Sequence, residues 1–415
     1  MSTYLKRLDT LPIDRRRPVG PEVLSQAAEI VEDVRRRGET ALREHGERHG
    51  DLSPGQDLVL DRARLEESLE TLPPAQQDLL ERVAGRIRDF AAEQRRELTG
   101  IDVEVTGGRA GHRWIPVASA GTYAPGGRHP LPSSALMTIV PARVAGVETV
   151  WAASPRPTAV TKAAAAVAGA DGLLAVGGAQ AIAALAFGTI SPACDLVVGP
   201  GNKWVTAAKK HLYGEIGIDG LAGPSEILVV ADGSADPELV AADLLAQAEH
   251  DIEAMPALVT TSEALADLVD QAIGRQLSDL PTSETASAAL GNGFVVVVPS
   301  ISEAVLLADE LAPEHLALHV DDPDGVAGSI RSYGSLFVGA GSAEAFADYG
   351  VGPNHVLPTG GGASYQSGLS VLTFLRSPTW SRLDDPEALM EDTVHLARLE
   401  GLEAHARAAQ LRADQ

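Results

Sequence analysis

Several residue types are scarce in this chain, and each scarcity excludes a class of protein. Cys194 is the single cysteine among 415 residues, which rules out an internal disulfide framework and a metal site built from several cysteines. Aromatic residues make up 4% of the chain, so the core must be packed from small aliphatic side chains. The 33 basic residues are outnumbered by 57 acidic ones, and the net charge of −24 opposes binding to nucleic acid and to anionic membranes.

Long apolar runs are missing as well. The most apolar stretch, residues 173–187, contains Gly177, Gly178 and Gln180 and is shorter than a membrane span. The first twenty residues are polar, include several arginines and prolines, and lack the apolar segment of a signal peptide. We therefore expect a cytoplasmic protein that has neither a membrane nor a nucleic acid as its partner.

What the chain does contain is typical of a globular α/β protein. Apolar residues make up 45% of it, and its length predicts two to three folding units at about 150 residues each. Residues 21–97 place apolar side chains at helical spacing. From about Glu148 onward, short apolar runs alternate with alanine-rich helical segments. The runs predicted as strands are ETVWAAS, GLLAV, CDLVVG, EILVVAD, ALVTT, FVVVVPS, LALHV and GSLFVG.

This alternation of strands and helices predicts mostly parallel sheets that are covered on both faces. Because the strands come in two successive series, we expect two Rossmann-like, doubly wound domains with a cleft between them and small helical appendages at both ends. The expected boundaries are an N-terminal arm at 1–20, a first domain at 21–114 plus 226–368, a second domain at 115–225, and a C-terminal helical segment at 369–415.

Glycine-rich loops next to the predicted strands are the places where such proteins bind ligands. The dinucleotide fingerprint G-x-G-x-x-G is absent, since Gly339-Ala340-Gly341 is followed by Glu344 where the third glycine belongs. The loop Gly199-Pro200-Gly201-Asn202 is consistent with a backbone that approaches a pyrophosphate. An ordinary turn from a strand into a helix is the commoner explanation of such a loop, and both interpretations stay open.

Histidines and acidic residues in these loops supply a second signal. Gln247 and His250 are three residues apart near the end of a predicted helix and project from one face of it. A histidine of this kind is most often a surface or hydrogen-bonded residue. Together, however, the polar side chains provide the nitrogen and oxygen ligands of a zinc site without cysteine, and an acid/base pair. The remaining candidates are Glu314, His315, Asp348, His355, Glu400 and His405.

The loops that carry these residues resemble those of the histidinol dehydrogenase family. The resemblance covers the chain from about residue 30 to its end, and ten motifs follow one another in the family's order. They are GTYAPGG, PSSALM, PARVAGV, GGAQAIAALAFGT, GPGN, GIDGLAGPSEILVVAD, LLAQAEHD, LAPEHL, DYGVGPNHVLPTGG and LEGLEAHARA. The resemblance implies a zinc-dependent, NAD-linked enzyme that oxidises L-histidinol to L-histidine in two steps through histidinaldehyde.

The resemblance also implies a role for individual residues. Glu314 and His315 match the catalytic acid/base pair. The implied ligands of one zinc ion per subunit are Gln247, His250, Asp348 and His405. The implied substrate contacts are Ser225, Gln247, His250, His315, Asp348, His355, Glu400 and His405. The positions implied to line the NAD site are Tyr123, Gln180 and Asn202.

In the family, the C-terminal segment crosses to the partner subunit. The resemblance therefore implies a homodimer with shared active sites, in which His405 completes the zinc site of the neighbouring chain. The alternative is a tail that folds back on its own chain, with His405 binding zinc within the same subunit.

Two segments depart from the family pattern. Residues 128–134 include the basic pair Arg128 and His129, where small or apolar residues are usual, and Ala317 and His319 follow the PEHL motif where an acidic residue is usual. A paralogue that oxidises another small alcohol or amino alcohol is therefore an alternative function. Metal-dependent hydrolysis and a non-enzymatic ligand-binding protein are further alternatives, although no zinc position and neither residue of the acid/base pair is missing.

Overall fold

The computed structural model describes residues 4–10, 19–126 and 130–413. Its strands are mostly short, and those of the two large sheets are largely buried. They are β1 (Lys6–Leu8), β2 (Val59–Asp61), β3 (Ile101–Val105), β4 (Gly108–His112), β5 (Ile115–Pro116), β6 (Ser119–Tyr123), β7 (Thr149–Ala153), β8 (Gly172–Leu174), β9 (Leu196–Val198), β10 (Gly217–Ile218), β11 (Glu226–Ala231), β12 (Met255–Thr260), β13 (Phe294–Val297), β14 (His315–His319), β15 (Ser335–Val338), β16 (Leu375–Arg376) and β17 (Thr379–Leu383).

Helices connect and cover these strands. They are α1 (Pro21–Arg37), α2 (Glu39–Arg48), α3 (Arg62–Glu70), α4 (Pro74–Arg96), α5 (Pro132–Ala145), α6 (Ala159–Ala168), α7 (Gly178–Phe187), α8 (Lys203–Leu212), α9 (Pro237–Ala248), α10 (Glu263–Ser278), α11 (Ser283–Leu290), α12 (Ile301–Leu311), α13 (Pro323–Ala327), α14 (Glu344–Tyr349), α15 (Glu387–Leu399) and α16 (Glu403–Ala413). Across the described ranges, no helix is both long and apolar enough to cross a membrane.

The two six-stranded sheets share one strand order. The first sheet runs β1-β13-β12-β11-β14-β15, and all its neighbouring strands pair in parallel. The second runs β2-β8-β7-β6-β9-β10, with β2 as its antiparallel edge strand. Apart from the edge strands β1 and β2, each sheet has five strands that follow one another in the sequence. The first of the five (β11 or β6) lies between the second (β12 or β7) and the fourth (β14 or β9). The expected pair of Rossmann-like α/β domains is therefore confirmed.

Each large sheet is buried on both faces. Successive side chains in a strand point to opposite sides, so the apolar residues of one strand pack into two clusters. In β11, Leu228 and Val230 pack into one apolar cluster, whereas Ile227, Val229 and Ala231 pack into the other. Alanine, valine and leucine supply most of this core, as the shortage of aromatic residues requires.

The N-terminal helices lie on a different sheet from the one that we expected. The sequence grouped residues 21–114 with 226–368, but α1 packs on α7 and α8, and α4 packs on α5. In addition, β2 pairs with β8 in the second sheet. These helices have apolar faces that match the alanine-rich helices of the second domain, and a sequence pattern shows that such a face exists without showing what it covers.

The two ends of the chain also differ from the expected appendages. The arm at 1–20 contributes β1, which pairs with β13 and extends the first sheet. The segment at 369–415 begins with buried Val371 and Phe374 and with β16 and β17, which pair with β5 and β4. Its helical part comprises α15 and α16, which pack on each other.

Candidate active site

The candidate catalytic and metal-binding residues of the first domain meet at the amino-terminal edge of the first sheet. Glu226 and His315 are the first residues of the neighbouring strands β11 and β14, and Glu314 directly precedes β14. The helix α9 ends at Ala248, so Gln247 and His250 lie at its C-terminal end on the same edge. This position differs from the carboxyl edge at which α/β sheets usually bind their ligands.

His315 is buried and held in one orientation. Its Nδ1 lies 3.2 Å from the backbone carbonyl oxygen of Glu226, and its ring stacks on Phe337 with centroids 5.9 Å apart. Because a carbonyl oxygen only accepts hydrogen bonds, this contact places the ring proton on Nδ1 and the lone pair on Nε2. Burial lowers the pKa of His315 to about 3, so the ring is neutral at physiological pH and can accept a proton.

Glu314 is anchored beside it. Its Oε2 accepts a hydrogen bond from the backbone N–H of Glu226 at 2.9 Å and lies 3.7 Å from His315 Nδ1. Burial raises the pKa of the Glu314 carboxyl well above its usual value. A carboxyl group with a raised pKa, next to a neutral imidazole, provides two groups that exchange protons in a site that excludes water.

A cluster of possible metal ligands lies next to this pair. One ligand atom from each of His250, Glu344 and Asp348 lies within 4.8 Å of the other two. His250 Nε2 is 3.8 Å from Glu344 Oε1 and 3.8 Å from Asp348 Oδ2. Among the described residues, Glu344 Oε1 is buried and has no hydrogen-bond partner. A buried carboxylate oxygen without a partner is costly, and a bound cation would satisfy it.

Burial also controls the charges in this cluster. It raises the pKa of Asp348 to about 7, and it raises the pKa of Glu344 well above its usual value, with a further increase from Asp348 and Glu314 nearby. Imidazole nitrogen together with carboxylate oxygen is a donor set that zinc accepts. The residues present therefore fit a divalent cation.

Gln247 joins the cluster to the acid/base pair. Its side chain is fully buried, and its Oε1 accepts a hydrogen bond from His315 Nδ1–H at 3.1 Å, which agrees with a ring proton on Nδ1. The same end of the amide lies 3.3 Å from Glu344 Oε2, so Gln247 contacts both the acid/base pair and the cluster.

The loop that carries His355 connects the two domains. His355 Nδ1 lies 3.6 Å from Asp348 Oδ1, and burial lowers the pKa of His355 to about 4. The amide of Asn354 donates to the Met137 carbonyl oxygen at 2.6 Å in the second domain. Further along the loop, the Gly360 N–H donates to Glu226 Oε1 at 2.9 Å. The loop therefore fixes His355 at the edge where the cluster lies.

Three of the expected residues stand apart from these contacts. Ser225 directly precedes Glu226 and is half-buried, and its backbone carbonyl accepts from Met255 N–H at 3.0 Å. Glu400 caps the C-terminal end of α15 and His405 lies on α16, and both are exposed. Within the ranges that the structure describes, neither makes a hydrogen bond or ion pair with His250, Glu344 or Asp348. A single chain therefore does not bring His405 into the cluster.

A cavity lies at the carboxyl-terminal edge of the second sheet. It has a volume of about 310 Å³, and Tyr123, Gln180 and Asn202 line it. Tyr123 is buried, which raises its pKa to about 12, and its hydroxyl oxygen accepts from the Gly178 N–H at 3.2 Å. Asn202 caps α8, since its Oδ1 accepts from the Trp204 N–H at 3.0 Å. The three residues that the sequence assigned to one nucleotide site are therefore brought together.

The loop Gly199–Asn202 between β9 and α8 is held by a buried ion pair between Lys209 and Asp219. Lys209 Nζ donates to the Gly199 carbonyl oxygen at 3.0 Å, and Asp219 Oδ2 accepts from the Gly199 N–H at 2.7 Å. Gly199 has a φ of +117°, and a side chain there would clash with the Tyr123 carbonyl oxygen. The loop is thus a strand-to-helix turn, and it also borders the cavity through Asn202.

Sequence reasoning missed Glu344. It was noted only as the residue that breaks a glycine pattern, although it precedes Asp348 by four residues and so lies on the same face of a helix. This spacing was the signal that could have identified it.

The departures from the family pattern fall in two places. Arg128 and His129 lie outside the described residues. Ala317 and His319 lie in β14, and His319 Nε2 is 2.9 Å from Asp243 Oδ2 in a buried pair at the carboxyl end of the strand. That end is opposite to the one at which His315 lies, so this departure affects the packing of the first domain and not the candidate site.

Known proteins resemble this chain over nearly its whole length. The family model described as histidinol dehydrogenase matches residues 14–413. A histidinol dehydrogenase of Haloarcula marismortui is 47% identical over 94% of this chain and 93% of its own, and one of Cereibacter sphaeroides is 43% identical over 98% and 95%. The crystal structure of histidinol dehydrogenase from Elizabethkingia anophelis superposes with a TM-score of 0.92 at 30% identity, covering 99% of this chain and 98% of that one. The chain therefore belongs to the histidinol dehydrogenase family of oxidoreductases in histidine biosynthesis.

Proposed function

We propose that this chain oxidises L-histidinol to L-histidine through bound histidinaldehyde, with zinc bound at the first domain and NAD at the second. The observation that carries the proposal is the buried pair Glu314 and His315, which lies next to His250, Asp348 and Glu344 at one sheet edge. A proton acceptor, a carboxyl group and a cation site in one place are what a two-step alcohol oxidation requires.

The proposed zinc ligands are Gln247, His250 and Asp348 from this chain and His405 from a second copy. The unpartnered Glu344 Oε1 and the raised pKa values of the buried carboxyl groups support a cation at this place. When bound there, zinc supplies a centre that orients the imidazole and amino nitrogens of the substrate.

His315 accepts the proton of the alcohol. Its ring is neutral because burial lowers its pKa to about 3, and the Glu226 carbonyl keeps the proton on Nδ1. Nε2 is then the atom that takes the hydroxyl proton while a hydride leaves the carbinol carbon, and NAD supplies the hydride acceptor when bound. The aldehyde hydrate passes through the same proton transfer in the second oxidation.

Glu314 activates the water that hydrates the aldehyde. Its carboxyl group lies beside His315 and is held by the Glu226 N–H, so its orientation is fixed. A carboxylate whose pKa is raised is a stronger base than an exposed one, so it takes a proton from water more readily. Ser225, His355 and Glu400 are the proposed further contacts to the substrate.

Tyr123, Gln180 and Asn202 are the proposed NAD contacts. They line one cavity at the ends of β6 and at the first turns of α7 and α8, where helix N-termini favour phosphate groups. The exposed Glu400 and His405 support a homodimer in which α16 lies over the neighbouring chain. The cytoplasmic location stays a prediction.

Steady-state NAD reduction with L-histidinol beside a panel of small alcohols and amino alcohols tests the function. We expect two NADH per histidinol consumed, with histidine as the product and little free aldehyde. One NADH per turnover, or a preference for another alcohol, would show a paralogue with a different substrate.

A further inference from the structure

A second cavity of about 590 Å³ adjoins the proposed NAD cavity, and nothing in the proposed mechanism uses it. The two cavities share the lining residues Asp51 and Arg156, so they lie side by side. The second cavity lies between the loop 50–57, β2, α3 and the first turn of α6, and three of its lining side chains are cationic: Arg64, Arg156 and Lys162.

The cations of this cavity carry positive charge in a chain whose net charge is −24. Arg64 pairs with Asp57, with Nη1 2.8 Å from the carboxylate. Within the described ranges, in contrast, neither Arg156 nor Lys162 forms an ion pair or a side-chain hydrogen bond. Lys162 is half-buried, so its ammonium group loses part of its hydration without gaining a carboxylate in return.

The carboxylates of the cavity neutralise it only in part, although Asp51 is close enough to Arg156 for their charges to interact. Asp51 is buried, and its Oδ2 accepts from the Gly177 N–H at 2.9 Å, which fixes this side chain to the loop before α7. Asp57 is occupied by Arg64. Two cationic groups, Arg156 and Lys162, therefore remain available to a bound anion.

The strand order places this cavity at one end of a path along the sheet edge. From the side nearest the acid/base pair, the second sheet runs β10-β9-β6-β7-β8-β2. Gly223, in the loop after β10, donates to Thr359 of the loop that carries His355, so the β10 side faces the candidate active site. Arg156 follows β7, Ala175 follows β8 and Leu60 lies in β2, so the second cavity is at the opposite side.

This order gives a dinucleotide one direction along the edge. Its nicotinamide end must lie near His315, which is on the β9 side, and its adenosine end must therefore extend toward β8 and β2. Neighbouring strands are about 4.8 Å apart, so the four intervals from β9 to β2 cover roughly 19 Å, a distance that only an extended ligand spans. Arg156 and Lys162 therefore lie beside the adenosine half of such a ligand.

We infer that the cavity lined by Arg156 and Lys162 binds a phosphoryl group in the adenosine half of the dinucleotide. The inference rests on the proposed function, because it assumes that a dinucleotide occupies the adjoining cavity. Two phosphoryl groups have this chemistry: the diphosphate of NAD and the 2′-phosphate of NADP. A guanidinium binds either one through two parallel hydrogen bonds, and Lys162 adds a point charge.

The test compares Arg156→Gln and Lys162→Met with the parent protein. Lys210→Met is the matched control, because Lys210 is an exposed lysine at the far end of α8. Binding of NAD, NADP, adenosine and inorganic diphosphate is measured by titration calorimetry, with quenching of Trp204 fluorescence as a second readout for the nucleotides, since Trp204 lines the adjoining cavity. Thermal melting checks that each variant is folded.

We expect each substitution in the cavity to weaken binding of the phosphorylated ligand about tenfold, since a charge-assisted hydrogen bond is lost. Adenosine should bind all variants equally, and Lys210→Met should behave like the parent. If NAD and NADP weaken together, the cavity binds the diphosphate. If only NADP weakens, it binds the 2′-phosphate, and the parent protein should then accept NADP as well as NAD.

Unchanged NAD and NADP affinities in both folded variants would overturn the inference. Failure of the parent protein to bind either dinucleotide would instead refute the proposed cofactor site. In that case the diphosphate titration still decides, because loss of diphosphate binding in the variants supports a phosphoryl site and equal binding by parent and variants contradicts it.

Discussion

The two large sheets have the same strand order but place their functional groups at opposite edges. The first sheet carries His250, Glu314 and His315 at the amino ends of its strands. The second carries Tyr123 and Asn202 at or just beyond the carboxyl ends of its strands. The difference shows that a shared topology does not by itself determine which edge binds a ligand.

Helix direction gives a physical reason for this division. In both domains the helices that connect successive parallel strands run antiparallel to them, so the C-termini of these helices lie at the amino edge and their N-termini at the carboxyl edge. The C-terminus of α9 lies beside His250, and a helix C-terminus carries partial negative charge that favours a cation. The N-termini of α6, α7 and α8 lie at the carboxyl edge of the second sheet, where they favour phosphate groups.

Loss of the metal should have the largest effect, and it should separate the two edges. We expect His250→Ala, or removal of metal by a chelator, to reduce turnover to background, because substrate orientation depends on the ion. NAD binding at the second sheet should be unchanged, as measured by Trp204 fluorescence quenching. Metal content is measured by elemental analysis, with Lys210→Met as the control. Full activity of a metal-free preparation would contradict the proposed metal site.

Substitution of the acid/base pair should distinguish the two oxidation steps. We expect His315→Ala to slow both by roughly 10²–10⁴-fold, the usual contribution of a general base. Glu314→Gln should chiefly slow the conversion of aldehyde to acid, because only that step requires water. Single-turnover rates with supplied histidinol and with supplied histidinaldehyde measure the difference. Equal loss in both steps for Glu314→Gln would disprove the division of roles.

A subunit-mixing experiment asks whether the metal edge is completed by a second chain. We expect the inactive variants His315→Ala and His405→Ala to regain activity when mixed, up to about half of the parent value per mixed dimer. The mixed dimer then contains one site with both parent residues. Native mass spectrometry verifies subunit exchange. Absence of recovery after verified exchange would mean that each chain builds its own site.

Substitution at the nucleotide edge should have a smaller effect and a different signature. We expect Gln180→Ala to raise the KM for NAD about tenfold, the loss of roughly one hydrogen bond to the ligand, while the zinc content and the KM for histidinol stay the same. Steady-state kinetics with each substrate varied in turn measure this split. A change confined to the histidinol KM would place Gln180 at the other edge.

The pH dependence of stability should give the smallest effect. Burial raises the pKa of Asp348 from 3.8 to about 7, so between these values the folded, metal-free protein binds a proton that the unfolded chain does not. Its unfolding free energy therefore falls as pH rises, by about 1 kcal/mol for Asp348 between pH 6.5 and pH 8.5. His315 and His355 act in the opposite direction and together offset about 1 kcal/mol over the same interval, because their pKa values lie well below the usual 6.5. Glu314 and Glu344, whose pKa values burial raises well above the usual range, act in the same direction as Asp348 and give the net fall.

Thermal melting of the metal-free and zinc-loaded protein checks this dependence. The metal-free protein should melt at a lower temperature at pH 8.5 than at pH 6.5, and zinc should remove most of the difference because ligand protons are displaced on binding. An unchanged or higher melting temperature of the metal-free protein at pH 8.5 would contradict the burial of these carboxyl groups.

Eight of the twelve strands in the two large sheets, and most of the candidate residues, were predictable from the sequence because their signals are local. Apolar runs such as EILVVAD and FVVVVPS gave β11 and β13, since a strand buried on both faces is apolar at every position. The strand β6 was not predicted, although it is central in the second sheet, because its residues SAGTY lack the valine and leucine that mark such a strand. Its burial comes from neighbours that are distant in the sequence.

The sequence by itself determined the two series of strands, the aliphatic core and the residue types of the candidate site, all of which depend on local composition and spacing. Only the tertiary structure decided that α1 to α4 cover the second sheet, that Glu344 adds a carboxylate to His250 and Asp348, and that Arg156 and Lys162 share a cavity. The physical reason is that an apolar face or a charged side chain is written in the sequence, whereas its partner is chosen by packing between segments that lie far apart in the chain.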